Sequence, residues 1–160
     1  MKPSRRKRRR VGRRLAASLP PTSTSFDLFE GLPLATVILD ADLTVLSVNR
    51  ESHRLLGPRF PSSTVRFFPS LWSRLTRSDA TIITAQLNGV LKSRRPTSVT
   101  QQLLLRKATP PVPVEWTCAP GTIDGKTVLI LSIQDLSHEL ELEQDCNRLA
   151  AIVQFKPLPL

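Results

Sequence analysis

The spacing of apolar residues changes abruptly near residue 135, and this change constrains the fold more than any other feature of the sequence. Residues 128–133 read Val-Leu-Ile-Leu-Ser-Ile, a nearly continuous apolar run that is typical of a strand buried on both faces. Farther along, apolar residues recur at intervals of three and four, as on one side of a helix. A strand therefore passes directly into a helix, and repacking in the sheet would be transmitted into that helix.

The predicted exit helix, residues 136–154, carries an apolar seam of two heptads that consists of Leu142, Cys146, Leu149 and Val153. We define Asp135, Leu136 and Ser137 as the signal exit, where Asp135 or Ser137 can serve as the N-cap. The first half of the helix is acidic, which suits the positive end of its dipole. The seam favours pairing with a partner helix, and the alternative is a helix that packs back on its own domain.

The basic residues are concentrated at the N-terminus. The formal net charge is +10, but residues 1–14 hold nine Lys and Arg and no acidic residue. Residues 1–25 predict a disordered arm, because they are rich in Arg and then in Pro, Ser and Thr. Such an arm suits weak contact with nucleic acid or an anionic membrane, or an organelle address, and the alternative is a solvated tail. The residues that would contact a polyanion are Arg5, Arg6, Lys7, Arg8, Arg9, Arg10, Arg13 and Arg14.

Cys118 and Cys146 are the two cysteines of the chain, and they do not form a ligand cluster with either histidine. The sequence therefore predicts neither a metal site nor a disulfide framework, and it fits a reducing compartment such as the cytoplasm. No apolar run reaches the ~18 residues of a membrane span, and no apolar stretch after the basic N-terminus marks a secretory signal.

Residues 26–135 predict a domain with two strands, a helical middle and three further strands. The strands are placed at 34–39, 44–48, 98–106, 112–118 and 126–134, and Asp124-Gly125 is a hairpin signal. Asn49 and Asp79 are predicted N-caps, with one or two short helices between residues 59 and 78. The helix after Asp79 is expected to bury the face formed by Ile82, Ile83, Leu87, Val90 and Leu91.

Two segments together resemble a PAS domain, the sensory module found N-terminal in bacterial sensor histidine kinases. Residues 28–40 followed by 45–49 and Leu55-Leu-Gly57 resemble its opening, and residues 125–137 resemble its last strand and exit to a signalling helix. The resemblance implies an α+β fold, a five-stranded antiparallel sheet flanked by short helices, with either a small ligand pocket or a packed core. The pocket candidates are Val37, Leu39, Val48, Leu55, Leu87, Leu91, Val114, Trp116, Leu129 and Leu131.

Three departures from the family pattern limit what the resemblance implies. Leu43 stands where the first hairpin usually has Gly, so this turn must be built differently. The light-sensing subgroup needs a Cys after the first helix, whereas residues 58–67 contain none. Haem-binding members use a His on the long middle helix, and residues 79–95 contain none. No cofactor is therefore predicted.

The sequence contains no constellation that predicts catalysis by this chain. Gly-x-Ser-x-Gly and the glycine-rich phosphate loops are missing from it. We therefore predict a sensory and dimerising module that acts as a homodimer or with a PAS-containing signalling partner, and that regulates an output domain absent from this chain. The alternatives are a truncated sensor kinase or a polyanion-binding protein. Residues 155–160 are a tail that matches residues 29–34 at four positions, either as the start of a second PAS unit or by chance.

Overall fold

The computed structural model describes residues 23–105 and 110–154. The elements, in chain order, are α1 (Ser23–Glu30), β1 (Ala35–Leu39), β2 (Val45–Val48), α2 (Arg50–Leu56), α3 (Phe68–Thr76), α4 (Ala80–Ser93), β3 (Thr97–Leu103), β4 (Val112–Ile123), β5 (Lys126–Asp135) and α5 (Ser137–Gln154). The polyanion residues between Arg5 and Arg14 and the tail at 155–160 lie outside the described residues. Helix α1 begins at Ser23, so its first three residues lie within the predicted arm of residues 1–25.

The predicted five-stranded antiparallel sheet is confirmed. Its order is β2-β1-β5-β4-β3, and every neighbouring pair is antiparallel. Strand β5 is central, because it pairs with β1 on one side and with β4 on the other. At the middle of the sheet Leu131 lies opposite Val37 on one neighbour and opposite Cys118 on the other, and all three side chains are fully buried. The strand that leads to the exit helix is therefore held on both sides, by a long-range pairing with β1 and by a hairpin with β4.

The outer face of β5 is more open than its apolar run predicts. Leu129, Leu131 and Ile133 are buried on the inner face, and on the outer face Val128 is buried whereas Ile130 and Ser132 are only partly buried. Burial on both faces therefore holds at the start of this stretch and is incomplete at Ile130 and Ser132. Strand β4 also continues to Ile123, five residues beyond the predicted end, since its pairing with β5 runs through Pro120 and Gly121.

The middle helices follow their predicted caps, with one correction. Asp79 Oδ1 accepts a hydrogen bond from the Thr81 amide at 2.7 Å, which lowers the pKa of this carboxyl and starts α4. Ile83, Leu87 and Val90 form the buried stripe, as their spacing of four and three predicts. Ile82 does not belong to this stripe and is 58% exposed, because adjacent residues on a helix are separated by about 100°.

The first hairpin turn is built around Leu43 in a left-handed conformation. Its φ is 63°, a region that costs a residue with a side chain roughly 1–2 kcal/mol. Asp40 Oδ1 stabilises the turn by accepting hydrogen bonds from the amides of Asp42 and Thr44. The Leu43 side chain is buried, and its burial offsets the cost of the backbone conformation. An Asx turn thus replaces the glycine that the family usually has here.

Candidate signal-exit site

The sheet passes into α5 through a single residue. Strand β5 ends at Asp135, helix α5 begins at Ser137, and Leu136 lies between them. Asp135 Oδ1 accepts a hydrogen bond from the Ser137 amide at 2.8 Å, so Asp135 supplies the side-chain hydrogen bond at the helix start. The Leu136 amide donates to the Pro113 carbonyl at 2.9 Å, which ties the junction to β4. The three predicted signal-exit residues therefore form one hydrogen-bonded junction.

A second hydrogen bond connects the end of β5 with the first turn of α5. Gln134 Nε2 donates to Glu139 Oε1 at 2.8 Å. Because Gln134 belongs to the ladder between β4 and β5, the direction in which α5 leaves the domain depends on the register of the central strand. Beyond this contact every residue from His138 to Val153 is exposed. The helix does not pack back on the described part of its domain.

A cleft of about 410 Å³ lies beside the junction, and we define it as the exit cleft. One wall belongs to the end of β5, with Ile133, Gln134 and Asp135, and the opposite wall belongs to α2. On α2 Glu51 and Arg54 form an ion pair at 2.7 Å, and both line the cleft together with Leu55. The lining of the exit cleft includes Asp135, whose carboxylate accepts the hydrogen bond from the first amide of α5.

The predicted pocket residues are located mostly in the closed interior. Leu55 lines the exit cleft, and Val48 and Leu91 pack half-buried against the core. The other seven are buried core residues, namely Val37, Leu39, Leu87, Val114, Trp116, Leu129 and Leu131. Ligand contact by these residues stays a prediction.

Two indoles and one amide fill the interior between the sheet and the helices. The rings of Trp72 and Trp116 meet edge to face, with centroids 6.5 Å apart. Gln101 Oε1 accepts a hydrogen bond from Trp72 Nε1 at 2.7 Å and from Trp116 Nε1 at 2.9 Å. Its Nε2 donates to Ser78 Oγ at 3.1 Å, so the amide is satisfied at both ends. Sequence reasoning missed Gln101, because polar residues at alternate positions of a strand usually face solvent.

Sequence reasoning also missed a second cleft. This cleft is mostly apolar and lies among the helices, and we define it as the arginine cleft. It has a volume of about 440 Å³ and is lined by Leu56, Gly57, Pro58, Arg59, Phe60, Ser62, Leu71, Arg74 and Leu75. No strand contributes to this lining. The signal that could have located it is the charge of each segment, because residues 15–160 are nearly neutral in total although residues 50–95 are strongly basic.

Comparison with known proteins decides the family. A family model for the PAS fold matches residues 29–139, which extends from the end of α1 to the first turn of α5. The chain belongs to the PAS family. The comparison with curated proteins finds no match. The PAS domain accounts for the sheet, for the helices α2 to α4 and for the exit junction.

Solved structures with the same fold include several PAS domains of signalling proteins. The PAS domain of nitrogen regulation protein NR(II) from Vibrio parahaemolyticus is 20% identical, with a TM-score of 0.51, over 71% of this chain and 99% of that one. The PAS domain of an HTR-like protein from Haloarcula marismortui is 24% identical, with a TM-score of 0.53, over 70% of this chain and 91% of that one. The VqmA dimer of Vibrio cholerae is 18% identical, with a TM-score of 0.57, over 76% of this chain and 56% of that one.

A PAS domain is a sensory domain, and no catalytic domain is evident in the residues that the structure describes. Within 23–105 and 110–154, no group of three or more His, Cys, Asp and Glu side chains could hold a metal ion. Among the helices of these two ranges, none combines the length and the apolar character needed to cross a membrane.

The two cysteines of the chain are expected to differ strongly in reactivity. Cys118 is fully buried, and its burial raises the pKa of its thiol to about 12, whereas Cys146 is exposed on α5. Because the thiolate is the nucleophile, a thiol reagent at neutral pH should modify Cys146 in the native protein and Cys118 after unfolding. Mass spectrometry of the modified peptides measures both rates. Equal rates for the two cysteines in the native protein would show that Cys118 is accessible.

Proposed function

We propose that this PAS domain is a sensory and dimerising module that passes a conformational signal through α5 to an output domain outside this chain. The observation that supports it best is the exposure of the predicted seam. Leu142 is 52% exposed, Leu149 63% and Val153 73%, on a helix that leaves directly from the central strand. A row of large apolar side chains in water is typical of a surface that a partner covers.

The signal would be a shift between two populations of the exit junction. A ligand or partner that binds in the exit cleft favours one arrangement of Asp135 and Gln134. The first turn of α5 would move with them, because both residues hydrogen bond to that turn. The change at the cap then alters how α5 pairs with its partner helix. The output would be the kinase of a two-component system, carried by a longer form of the chain or by a second protein.

Pairing of two α5 helices would begin at Leu142. Burial of a large apolar side chain contributes roughly 1.5–3 kcal/mol, and Leu142, Leu149 and Val153 would each be buried against the partner. Glu139 lies one seam position before Leu142 and would face its own copy in a parallel pair, so repulsion ends the pairing there. Two heptads form a weak interface, which suits a switch that must change its pairing. Two free cysteines fit a cytoplasmic location for such a switch.

Cys146 provides a direct test of this pairing, because it lies in the seam and is exposed. In a parallel dimer the two Cys146 thiols face each other, so mild oxidation should cross-link the native full chain to a dimer. The double variant L142K/L149K should reduce the cross-linked fraction at least about tenfold, because each of the two helices would bring two charges into the buried seam. Non-reducing electrophoresis measures the fraction, and sedimentation velocity measures the dimer without oxidation.

The matched control is N147K, which adds a charge to the same helix away from the seam, and it should leave the cross-linked fraction unchanged. The variant C146S should remove the cross-link and keep the dimer in sedimentation. A chain that stays monomeric at the highest concentration reached would contradict self-pairing. Loss of pairing in N147K equal to that in L142K/L149K would contradict the seam.

A further inference from the structure

The arginine cleft has the form of a small-molecule site rather than of a protein-docking surface. Its volume of about 440 Å³ lies within the range of ligand pockets. Its floor is recessed, because Leu56, Phe60 and Leu71 are only 8%, 7% and 7% exposed. An alkyl chain can lie along this apolar floor.

The rim of the cleft carries positive charge. Arg59 and Arg74 both line it and are exposed, and no acidic residue contributes to the lining. The other polar group, the Ser62 hydroxyl, is already engaged with the backbone of Val65 at 3.0 and 3.3 Å. Among the described residues that line the cleft, Arg59 and Arg74 therefore offer the side-chain polar contacts to a ligand. A guanidinium fork matches the two oxygens of a carboxylate.

The segment of the chain that supplies the cleft lining also carries an excess of positive charge. Residues 50–95 contain nine Lys and Arg against two acidic residues, and all nine basic residues are exposed. They are Arg50, Arg54, Arg59, Arg66, Arg74, Arg77, Lys92, Arg94 and Arg95. A surface of one sign raises the local concentration of counter-charged ligands.

We propose that the arginine cleft binds an amphiphilic monocarboxylate of the medium-chain fatty-acid type, with its alkyl chain on the leucine and phenylalanine floor and its carboxylate between Arg59 and Arg74. This site lies outside the sheet-facing interior that Trp72 and Trp116 fill, and it does not depend on the pairing of α5. A ligand with both parts fits best, because the buried leucine and phenylalanine side chains can hold the alkyl chain and the two guanidinium groups can hold the carboxylate.

The test uses the full chain and three probes, all below the critical micelle concentration. Decanoate carries both parts, decan-1-ol lacks the charge and acetate lacks the alkyl chain. Decanoate should bind, with amide shifts in NMR spectra at Leu56, Phe60, Leu71 and Leu75, and acetate should bind at least about 100-fold more weakly. The double variant R59Q/R74Q should weaken decanoate binding about tenfold and change the affinity for decan-1-ol less than about twofold.

The matched control is R66Q, which removes an exposed arginine of the same basic surface that does not line the cleft, and it should bind decanoate like the native chain. An equal loss of decanoate affinity in R66Q and in R59Q/R74Q would show that general charge attraction causes the binding, and it would overturn the site. Absence of saturable decanoate binding would overturn it as well. If the cleft amides shift with protein concentration and not with decanoate, an acidic helix of a second copy is the occupant and the proposal is wrong.

Discussion

Replacement of Trp116 by alanine is expected to lower the free energy of unfolding by roughly 3–5 kcal/mol. The side chain is fully buried, packs edge to face on Trp72 and donates its N–H to Gln101. The substitution removes the largest apolar contact between β4 and the helical layer, and it leaves a cavity that the surrounding rings cannot fill. Denaturant unfolding followed by far-UV circular dichroism measures the loss.

Two matched variants separate the causes of this loss. W116F keeps most of the ring and loses the N–H donor, so it should cost clearly less than W116A, because Gln101 still accepts from Trp72 at 2.7 Å. L142A removes an apolar side chain that is 52% exposed on α5, and it should leave the stability of the monomer nearly unchanged. A W116A chain as stable as L142A would contradict the closed interior that the structure shows.

Asn49→Ala is expected to cost roughly 2–4 kcal/mol, the second-largest loss. The fully buried side-chain amide of Asn49 connects β1 and the residue before it with the first turn of α2. Oδ1 accepts hydrogen bonds from the Thr36 amide at 2.9 Å and from the Ser52 amide at 3.0 Å, and Nδ2 donates to the Leu34 carbonyl at 2.8 Å. Alanine would leave these backbone groups buried without a partner, which costs more than the loss of an ordinary N-cap.

The comparison for this prediction is Asp79→Ala, because Asp79 has the same cap position on α4 and is exposed. Water replaces the lost carboxylate there, so the loss should be smaller than for Asn49→Ala. Equal losses in the two variants would show that the buried contacts of Asn49 to β1 add nothing to its cap. Thermal unfolding of the two variants in the same buffer provides the comparison.

Helix caps and hairpin turns were predictable because their chemistry is local. Asn49, Asp79 and Asp124-Gly125 act on residues within a few positions in the chain, and each starts or turns an element where it was expected. The incorrect predictions concern residues whose packing partners are distant in the chain. Ile82 resembles its neighbour Ile83 in sequence, and only the orientation of α4 on the sheet decides which of the two is buried.

The candidate sites also differ in whether their residues are close together or far apart in the chain. The exit junction at Asp135 lies in one continuous stretch, so its place could be predicted, although the contact of Leu136 with Pro113 could not. The arginine cleft brings Arg59 together with Arg74 across a loop and a helix start, and neither residue has a local signal of its own. Gln101 has the pattern of a surface residue, yet it receives two indole N–H groups from α3 and β4.

The sequence by itself determined that a buried strand passes into an acidic, seam-bearing helix at Asp135, because periodicity and capping depend on the spacing of neighbouring residues. Only the tertiary structure decided that this strand is the central one, that α5 is exposed along its seam, and that the interior is filled by Trp72, Trp116 and Gln101. The physical reason is that packing joins side chains far apart in the chain, and their contacts follow from the shape of the assembled layers, which local pattern does not specify.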